Sequence, residues 1–149
     1  MVSKLFLTEP DVDRLTDILG NQIEWSGFHP NCVLAILRGG LPIAERIAKR
    51  FDLPLHTIRI SCYDGEVKRA EPIIEIGDLS VLKNKRVLII DDLIDSGLSV
   101  ALAKDLLDKQ KIAYKVGVLF QKPEASVVAD YHSEETTRWV VFPWEPQDH

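Results

Sequence analysis

The stretch that decides the fold is Arg86-Val87-Leu88-Ile89-Ile90-Asp91-Asp92-Leu93-Ile94-Asp95-Ser96-Gly97-Leu98-Ser99. It opens with a continuous apolar run of strand length at 87–90, which is typical of a strand buried on both faces of a parallel sheet. A helix is predicted to follow from about Ser99, with a buried stripe made of Leu102, Ala103, Leu106 and Leu107. The stretch therefore predicts a strand, a polar loop and a helix in succession.

The same alternation extends upstream, where a first helix is predicted from Thr8. Thr8 is expected to act as its N-cap, with Pro10 in the first turn, Asp11 at the capping-box position and Gly20 at its end. A buried strand at 33–37 and the turn Arg38-Gly39-Gly40 then lead into a second helix that begins near Pro42.

Further strands are predicted at 57–61, 114–120, 127–131 and 138–142. Residues 62–71 are polar and charged with Gly65 among them, which indicates a loop long enough to move. Strands that alternate with helices predict an α/β fold with a mainly parallel central sheet flanked by helices. Because no linker interrupts the chain, we expect a single domain over residues 1–149.

Composition excludes several classes of protein. The 149 residues are 46% apolar and 28% charged, which argues against disorder, and no apolar run approaches the length of a membrane span. The 18 Lys and Arg against 23 Asp and Glu argue against indiscriminate nucleic-acid binding. Glu9 and Asp11 follow an apolar run too short for a secretory signal, and Cys32 and Cys62 form no CxxC pair. We therefore expect a reduced, cytoplasmic protein without integral membrane association.

The loop after the strand at 87–90 has the composition of a ligand site. In open α/β sheets, ligands bind beyond the carboxyl ends of the strands. Ser96, Gly97 and Ser99 offer hydroxyls and N–H groups at a helix start, which suits phosphate. The same loop carries three carboxylates, Asp91, Asp92 and Asp95. A ligand with both a phosphate and hydroxyl or metal-bound parts reconciles the two, whereas the alternative is an acidic first helical turn with a serine cap.

The loop Arg38-Gly39-Gly40 follows the other buried strand. Its glycines permit close approach of the backbone to a ligand, and the Arg38 guanidinium can bind phosphate oxygens in a fork. By itself, a glycine pair before a helix is more often only a turn.

Taken together, the two loops resemble the type I phosphoribosyltransferases. The pattern Asp-Asp-x-x-Asp-Ser-Gly-x-Ser resembles their motif for phosphoribosyl diphosphate (PRPP), and Arg38-Gly39-Gly40 resembles their pyrophosphate loop. Other segments resemble the bacterial xanthine–guanine branch, namely Ser61-Cys62-Tyr63-Asp64, Phe120-Gln121-Lys122-Pro123, Asp130-Tyr131 and Trp139-Val140-Val141-Phe142-Pro143-Trp144-Glu145. The resemblance covers about residues 30–145 and implies that family's fold, with a mobile loop and a small C-terminal base-binding hood.

The resemblance implies a set of PRPP-binding residues: Arg38, Gly39, Lys68, Arg69, Asp91, Asp92, Asp95, Ser96, Gly97, Leu98 and Ser99. Residues 96–99 would cradle the 5-phosphate, and Asp91 and Asp92 would bind the ribose hydroxyls. Asp92 would also be the protein ligand of a Mg²⁺ cofactor, and the cations would face the pyrophosphate. Leu98 departs from the family's usual glycine and Leu37 from its usual serine.

For the base, the resemblance implies that Lys122 reaches a 6-oxo group, that Trp139 stacks on the ring and that the backbone near Val140 contacts its edge. Asp95 would be the catalytic residue, near N7 of the purine. The implied reaction transfers 5-phosphoribosyl from PRPP to N9 of guanine, xanthine or hypoxanthine and releases pyrophosphate. A homotetramer or homodimer is implied as well. Without the resemblance, Lys122 would be an ordinary solvated lysine and Trp139 a core or interface aromatic.

The main alternative is a PRPP-sensing regulatory protein of the same fold without catalytic activity. Such proteins bind RNA or DNA, which requires a basic face or an added helical element. The sequence indicates neither. No Gly-x-Gly-x-x-Gly and no Walker motif occurs, so dinucleotide and NTPase functions are not supported.

Overall fold

A computed structural model describes residues 3–64 and 67–145. This part of the chain contains the helices α1 (Glu9–Ser26), α2 (Leu41–Phe51) and α3 (Leu98–Lys109). The strands are β1 (Lys4–Phe6), β2 (Cys32–Leu37), β3 (Leu55–Asp64), β4 (Val67–Ile76), β5 (Arg86–Ile94), β6 (Ala113–Gln121), β7 (Tyr131–Glu135) and β8 (Trp139–Val141). None of the helices in these ranges is long and apolar enough to cross a membrane.

Six strands form the central sheet in the order β4-β3-β2-β5-β6-β7. All neighbours are parallel except β3 and β4, which confirms the α/β fold with a mainly parallel sheet. α1 and α2 cover one face and α3 the other, and each face buries its own apolar cluster. The two predicted buried strands are the central β2 and β5, whose side chains alternate between the two clusters.

The first helix begins as predicted but ends later. Thr8 and Asp11 form the capping box, each side chain bonded to the other's backbone N–H. The prediction that Gly20 ends the helix is wrong, because α1 continues to Ser26 and ends at Gly27 with φ 76°. A Cβ on Gly20 would lie 2.3 Å from Nη1 of Arg50, so this glycine gives room for a side chain of α2.

The described residues among 62–71 do not form the predicted loop. Most of them extend β3 and β4 into an antiparallel hairpin, with a bulge between Ser61 and Tyr63. Gly65 and Glu66 lie outside the described residues. Since β4 is an edge strand with mostly exposed side chains, backbone pairing maintains it and charged side chains cost little there. The polar composition thus reflects an exposed hairpin.

The C-terminal third differs from the prediction in two places. The strand predicted at 127–131 is wrong: residues 127–130 are irregular, and β7 begins at Tyr131. The strand predicted at 138–142 is confirmed as β8, and it pairs in parallel with the unpredicted β1, Lys4 opposite Trp139. This two-stranded sheet is called the hood below.

Candidate active site

A cleft of about 290 Å³ opens at the carboxyl ends of β2 and β5. Its wall includes Gly39, Tyr63, Asp91, Asp92, Asp95 and the loop 96–99. The parallel sheet brings these residues together because both strand-to-helix loops leave its same edge. The two loops that the sequence indicated therefore form one site.

The loop 96–99 forms a cradle at the start of α3. Gly97 is the N-cap with φ +86°, and the Ser96 Oγ accepts a hydrogen bond of 3.3 Å from the Leu98 N–H. The first-turn N–H groups of a helix have no partner within the helix, so this end favours an anion such as phosphate. Leu98 does not have a positive φ, and the leucine is accommodated without backbone strain.

The carboxylates Asp91 and Asp92 lie side by side at the end of the buried strand. Asp91 is 8% exposed, and its Oδ1 accepts the Asp92 N–H at 2.8 Å. Burial raises the pKa of Asp91 well above its ordinary value, and the adjacent Asp92 charge raises it further. Burial also raises the pKa of Asp92. A ligand that brings hydroxyl donors or a cation would stabilise the ionised pair.

These carboxylates could bind Mg²⁺ together with ligands that a substrate supplies. Among the described residues, no three His, Cys, Asp or Glu side chains are grouped as a complete metal site. Mg²⁺ commonly takes one or two carboxylates together with substrate phosphates and water. The donor set therefore fits an ion that is shared with a bound diphosphate.

The glycines after β2 permit two close approaches within the protein. A Cβ on Gly39 would lie 2.2 Å from Oδ2 of Asp92, and a Cβ on Gly40 would lie 2.5 Å from the Ile90 carbonyl oxygen. Gly39 lines the cleft, whereas Arg38 is exposed beside it. Gly39 thus approaches the Asp92 carboxylate and Gly40 the backbone of the central strands, whereas the predicted approach of this loop to a ligand stays a prediction.

A second cavity of about 120 Å³ lies between the cleft and the hood. Lys122, Trp139, Val140, Phe142 and Glu145 line it, together with residues of the first cleft. The Lys122 Nζ donates a hydrogen bond of 2.5 Å to the Arg138 carbonyl, and Trp139 is 59% exposed. The cavity therefore combines an ammonium group with apolar and aromatic surface.

The two cavities meet at Asp92, Leu93 and Asp95, which line both of them. One side of this junction offers a phosphate cradle, and the other offers a lysine and an aromatic ring. A ligand pair that consists of a sugar phosphate and a flat heterocycle could meet at the shared carboxylates.

The hairpin brings Lys68 and Arg69 to different surroundings. Lys68 lines a depression of about 220 Å³ with Tyr63, Ser96 and Gly97, on the outer side of the cradle. The Arg69 Nε donates a hydrogen bond of 3.2 Å to the Ser61 Oγ across the hairpin. Lys68 is thus the predicted loop cation that the structure places next to the cradle.

Two residues without a predicted role bond to residues of the site or to their neighbours. Gln121 is 3% exposed, and its amide bonds to the backbone of Lys122, Val127 and Ala129. The Cys62 Sγ lies 3.6 Å from the Ser99 Oγ. Gln121 is a polar residue at the end of an apolar strand, and this pattern could have indicated a buried polar contact. Nothing in the sequence indicates the contact of Cys62 with Ser99.

Comparisons with known proteins agree with this geometry. The model of the family described as "Phosphoribosyl transferase domain" matches residues 7–149. A hypoxanthine-guanine phosphoribosyltransferase of Lactococcus lactis subsp. lactis is 30% identical over 132 residues, which are 85% of this chain and 72% of the relative. A xanthine-guanine phosphoribosyltransferase of Desulfotalea psychrophila is 32% identical over 77% of this chain and 70% of its own. The crystal structure of a purine phosphoribosyltransferase from Pyrococcus horikoshii superposes with a TM-score of 0.82 at 35% identity, covering 97% of this chain and 95% of that one.

Proposed function

The chain belongs to the phosphoribosyl transferase domain family, and on that premise we propose that it transfers the 5-phosphoribosyl group of PRPP to N9 of a 6-oxopurine. The products are a nucleoside monophosphate and pyrophosphate. The observation that carries this proposal is the junction of the two cavities at Asp92, Leu93 and Asp95. At this junction, C1 of a ribose bound in the cleft would lie next to a purine bound in the second cavity.

The phosphoribosyl donor is assigned to the larger cleft. The N–H groups and hydroxyls of residues 96–99 bind the 5-phosphate, and the carboxylates Asp91 and Asp92 accept hydrogen bonds from the ribose hydroxyls. Asp92 would hold Mg²⁺, which when bound supplies positive charge to the diphosphate. Arg38, exposed beside the cleft, and Lys68, beside the cradle, would supply further positive charge to the diphosphate.

In the reaction, the bond between C1 and the diphosphate oxygen breaks, and the bond between C1 and N9 forms. The ribose develops positive charge while pyrophosphate leaves with the electron pair. The adjacent carboxylates favour the cationic ring, since preorganised charge stabilises the transition state. Asp95 accepts the proton from N7 of the purine as N9 attacks.

The choice of base is assigned to the second cavity. A lysine ammonium has three N–H donors, of which Lys122 gives one to the Arg138 carbonyl. The remaining donors match the 6-oxo group of guanine, xanthine or hypoxanthine. They face the 6-amino group of adenine donor to donor, which leaves a hydrogen bond unmade. Trp139 stacks on the ring, and the backbone near Val140 contacts its edge.

The proposal is tested with purified protein, PRPP, Mg²⁺ and a panel of guanine, xanthine, hypoxanthine and adenine, followed by absorbance. We expect turnover with at least one 6-oxopurine, weak or absent turnover with adenine, and loss of turnover in excess chelator. Asp92→Asn should lower kcat/KM by about 10²- to 10³-fold.

Asp105→Asn is the matched control, because this carboxylate lies on α3 and pairs with Lys109 outside both cavities. It should retain wild-type activity. Equal activity of Asp92→Asn and wild type would contradict the assignment. Binding of PRPP without transfer to any purine would instead favour the PRPP-sensing regulator.

A further inference from the structure

The side chain of Gln121 is a buried polar group that the reaction above does not use. It lies at the end of β6, is 3% exposed and makes three hydrogen bonds with its amide. The Nε2 donates to the Lys122 carbonyl at 3.2 Å and to the Val127 carbonyl at 2.9 Å. The Oε1 accepts the Ala129 N–H at 3.0 Å. One amide thus satisfies the backbone at both ends of the irregular segment 122–129.

The two ends of this segment contact different parts of the site. At its start, the Lys122 N–H donates to the Ile94 carbonyl at 2.9 Å, and the Lys122 side chain lines the second cavity. Near its end, Val127 packs against Gly97 so closely that a Cβ on Gly97 would lie 2.7 Å from the Val127 Cβ. Gly97 belongs to the cradle and is the N-cap of α3. The segment therefore connects the cavity assigned to the base with the cradle assigned to the phosphate.

We propose that Gln121 is a positioning residue that holds Lys122 toward the purine and Val127 against the phosphate cradle. This inference rests on the proposed function. A buried amide that bonds to all three groups fixes the backbone of both residues in one arrangement, because losing hydrogen bonds in the interior is costly. The Lys122 carbonyl also accepts the Ala125 N–H at 3.2 Å, so the cost falls mainly on the Val127 carbonyl and the Ala129 N–H. Loss of the amide then changes base selection and PRPP binding together, although Gln121 contacts neither substrate.

Gln121→Glu is the first test. The glutamate keeps one oxygen for the Ala129 N–H, but it places its other carboxylate oxygen opposite the Lys122 and Val127 carbonyls. Gln121→Met is the second variant, which keeps the approximate length and removes all three bonds. For each, we expect the ratio of kcat/KM for guanine to that for adenine to fall about tenfold and the KM for PRPP to rise several-fold.

Gln22→Glu is the matched control. The Gln22 amide makes the same kind of reciprocal contact, donating to the His132 carbonyl at 2.8 Å and accepting the His132 N–H at 3.1 Å. This contact joins α1 to β7 away from both cavities. The control should lose thermal stability to a similar extent but retain the guanine-to-adenine ratio and the KM for PRPP.

The outcomes separate the two proposals. An unchanged ratio and PRPP KM in a folded Gln121→Glu or Gln121→Met protein would show a merely structural role and overturn this inference, while transfer by the wild type would uphold the proposed function. A changed ratio in Gln22→Glu would overturn the inference as well, because any loss of stability would then suffice. Absence of transfer by the wild type would overturn the proposed function and this role with it.

Discussion

Replacement of Gly39 by alanine is expected to displace the Asp92 carboxylate while the fold stays intact. The new Cβ would lie 2.2 Å from Oδ2 of Asp92, whereas ordinary van der Waals contact begins at 3.4 Å. The carboxylate must therefore move by about 1.2 Å. Gly39 does not have a positive φ, so alanine is compatible with its backbone conformation.

A shift of this size is large for a group that is assigned to ribose hydroxyls and Mg²⁺. Misplacement by about 1 Å can cost about 10²-fold in rate. We expect kcat/KM for guanine and PRPP to fall by about that factor in Gly39→Ala. Initial rates give the activity, and thermal unfolding followed by circular dichroism gives Tm, which should remain within a few degrees of the wild type.

Gly40→Ala provides the contrast. Its Cβ would meet the carbonyl oxygens of Ile90 and Ile36 at 2.5 and 2.7 Å, and these belong to the backbone of the central strands. That clash cannot be relieved by rotating a side chain, and it should cost about 1–3 kcal/mol of stability. Wild-type activity in Gly39→Ala, or a loss of stability equal to that of Gly40→Ala, would refute this account of Asp92.

Three further predictions concern the ionisable groups of the site. Because burial raises the pKa of Asp91, its ionised form destabilises the ligand-free fold as pH rises above the ordinary carboxyl range. Asp91→Asn should therefore raise Tm at pH 7 by at least about 2 °C, and this gain should disappear near pH 4. The same substitution should abolish activity. Asp78→Asn is the control: hydrogen bonds from Ser80 lower the pKa of Asp78, and a Tm gain there too would contradict the assignment to burial. Asp95→Asn should lower kcat about 10²-fold with little change in the KM for PRPP, and steady-state kinetics that show only a changed KM would make it a loop-shaping residue. Lys122→Ala should reduce the guanine-to-adenine ratio of kcat/KM by about 10²-fold or more, and an unmoved ratio would remove it from base selection.

The parts of the fold that could be predicted from sequence are those in which one local pattern determines the structure. The apolar runs at 33–37 and 87–90 predict β2 and β5 correctly, because a strand buried on both faces must be apolar throughout. The capping box at Thr8 was likewise predicted, since all its partners lie within one turn.

The errors arise where distant residues decide the structure. A glycine near the end of a helical pattern predicts a helix end, and nothing in the sequence indicates that Arg50 of α2 lies against Gly20. β1 has three residues, and its partner β8 lies at the other end of the chain. The segment 127–130 has the composition of a strand. Its Val127 carbonyl and Ala129 N–H bond to the Gln121 side chain, however, and not to the backbone of a neighbouring strand.

For the candidate site, the motif at 91–99 predicted which residues share a cleft, because loops at one edge of a parallel sheet converge. The packing of Gly39 against Asp92 and the junction of the two cavities were not predictable, since they depend on distances between separate loops. The hairpin geometry that separates Lys68 from Arg69 depends on a strand register that the polar composition conceals.

We propose that the two cavities form one centre at which a phosphoribosyl group passes from PRPP to a purine. The most direct measurement is the stoichiometry of products when PRPP, Mg²⁺ and guanine are incubated with the wild-type protein, with nucleotide quantified by chromatography and pyrophosphate by a coupled assay. We expect one guanosine 5′-monophosphate for each pyrophosphate released, and no pyrophosphate release when guanine is omitted. Pyrophosphate released without matching nucleotide, or neither product with any 6-oxopurine, would contradict it.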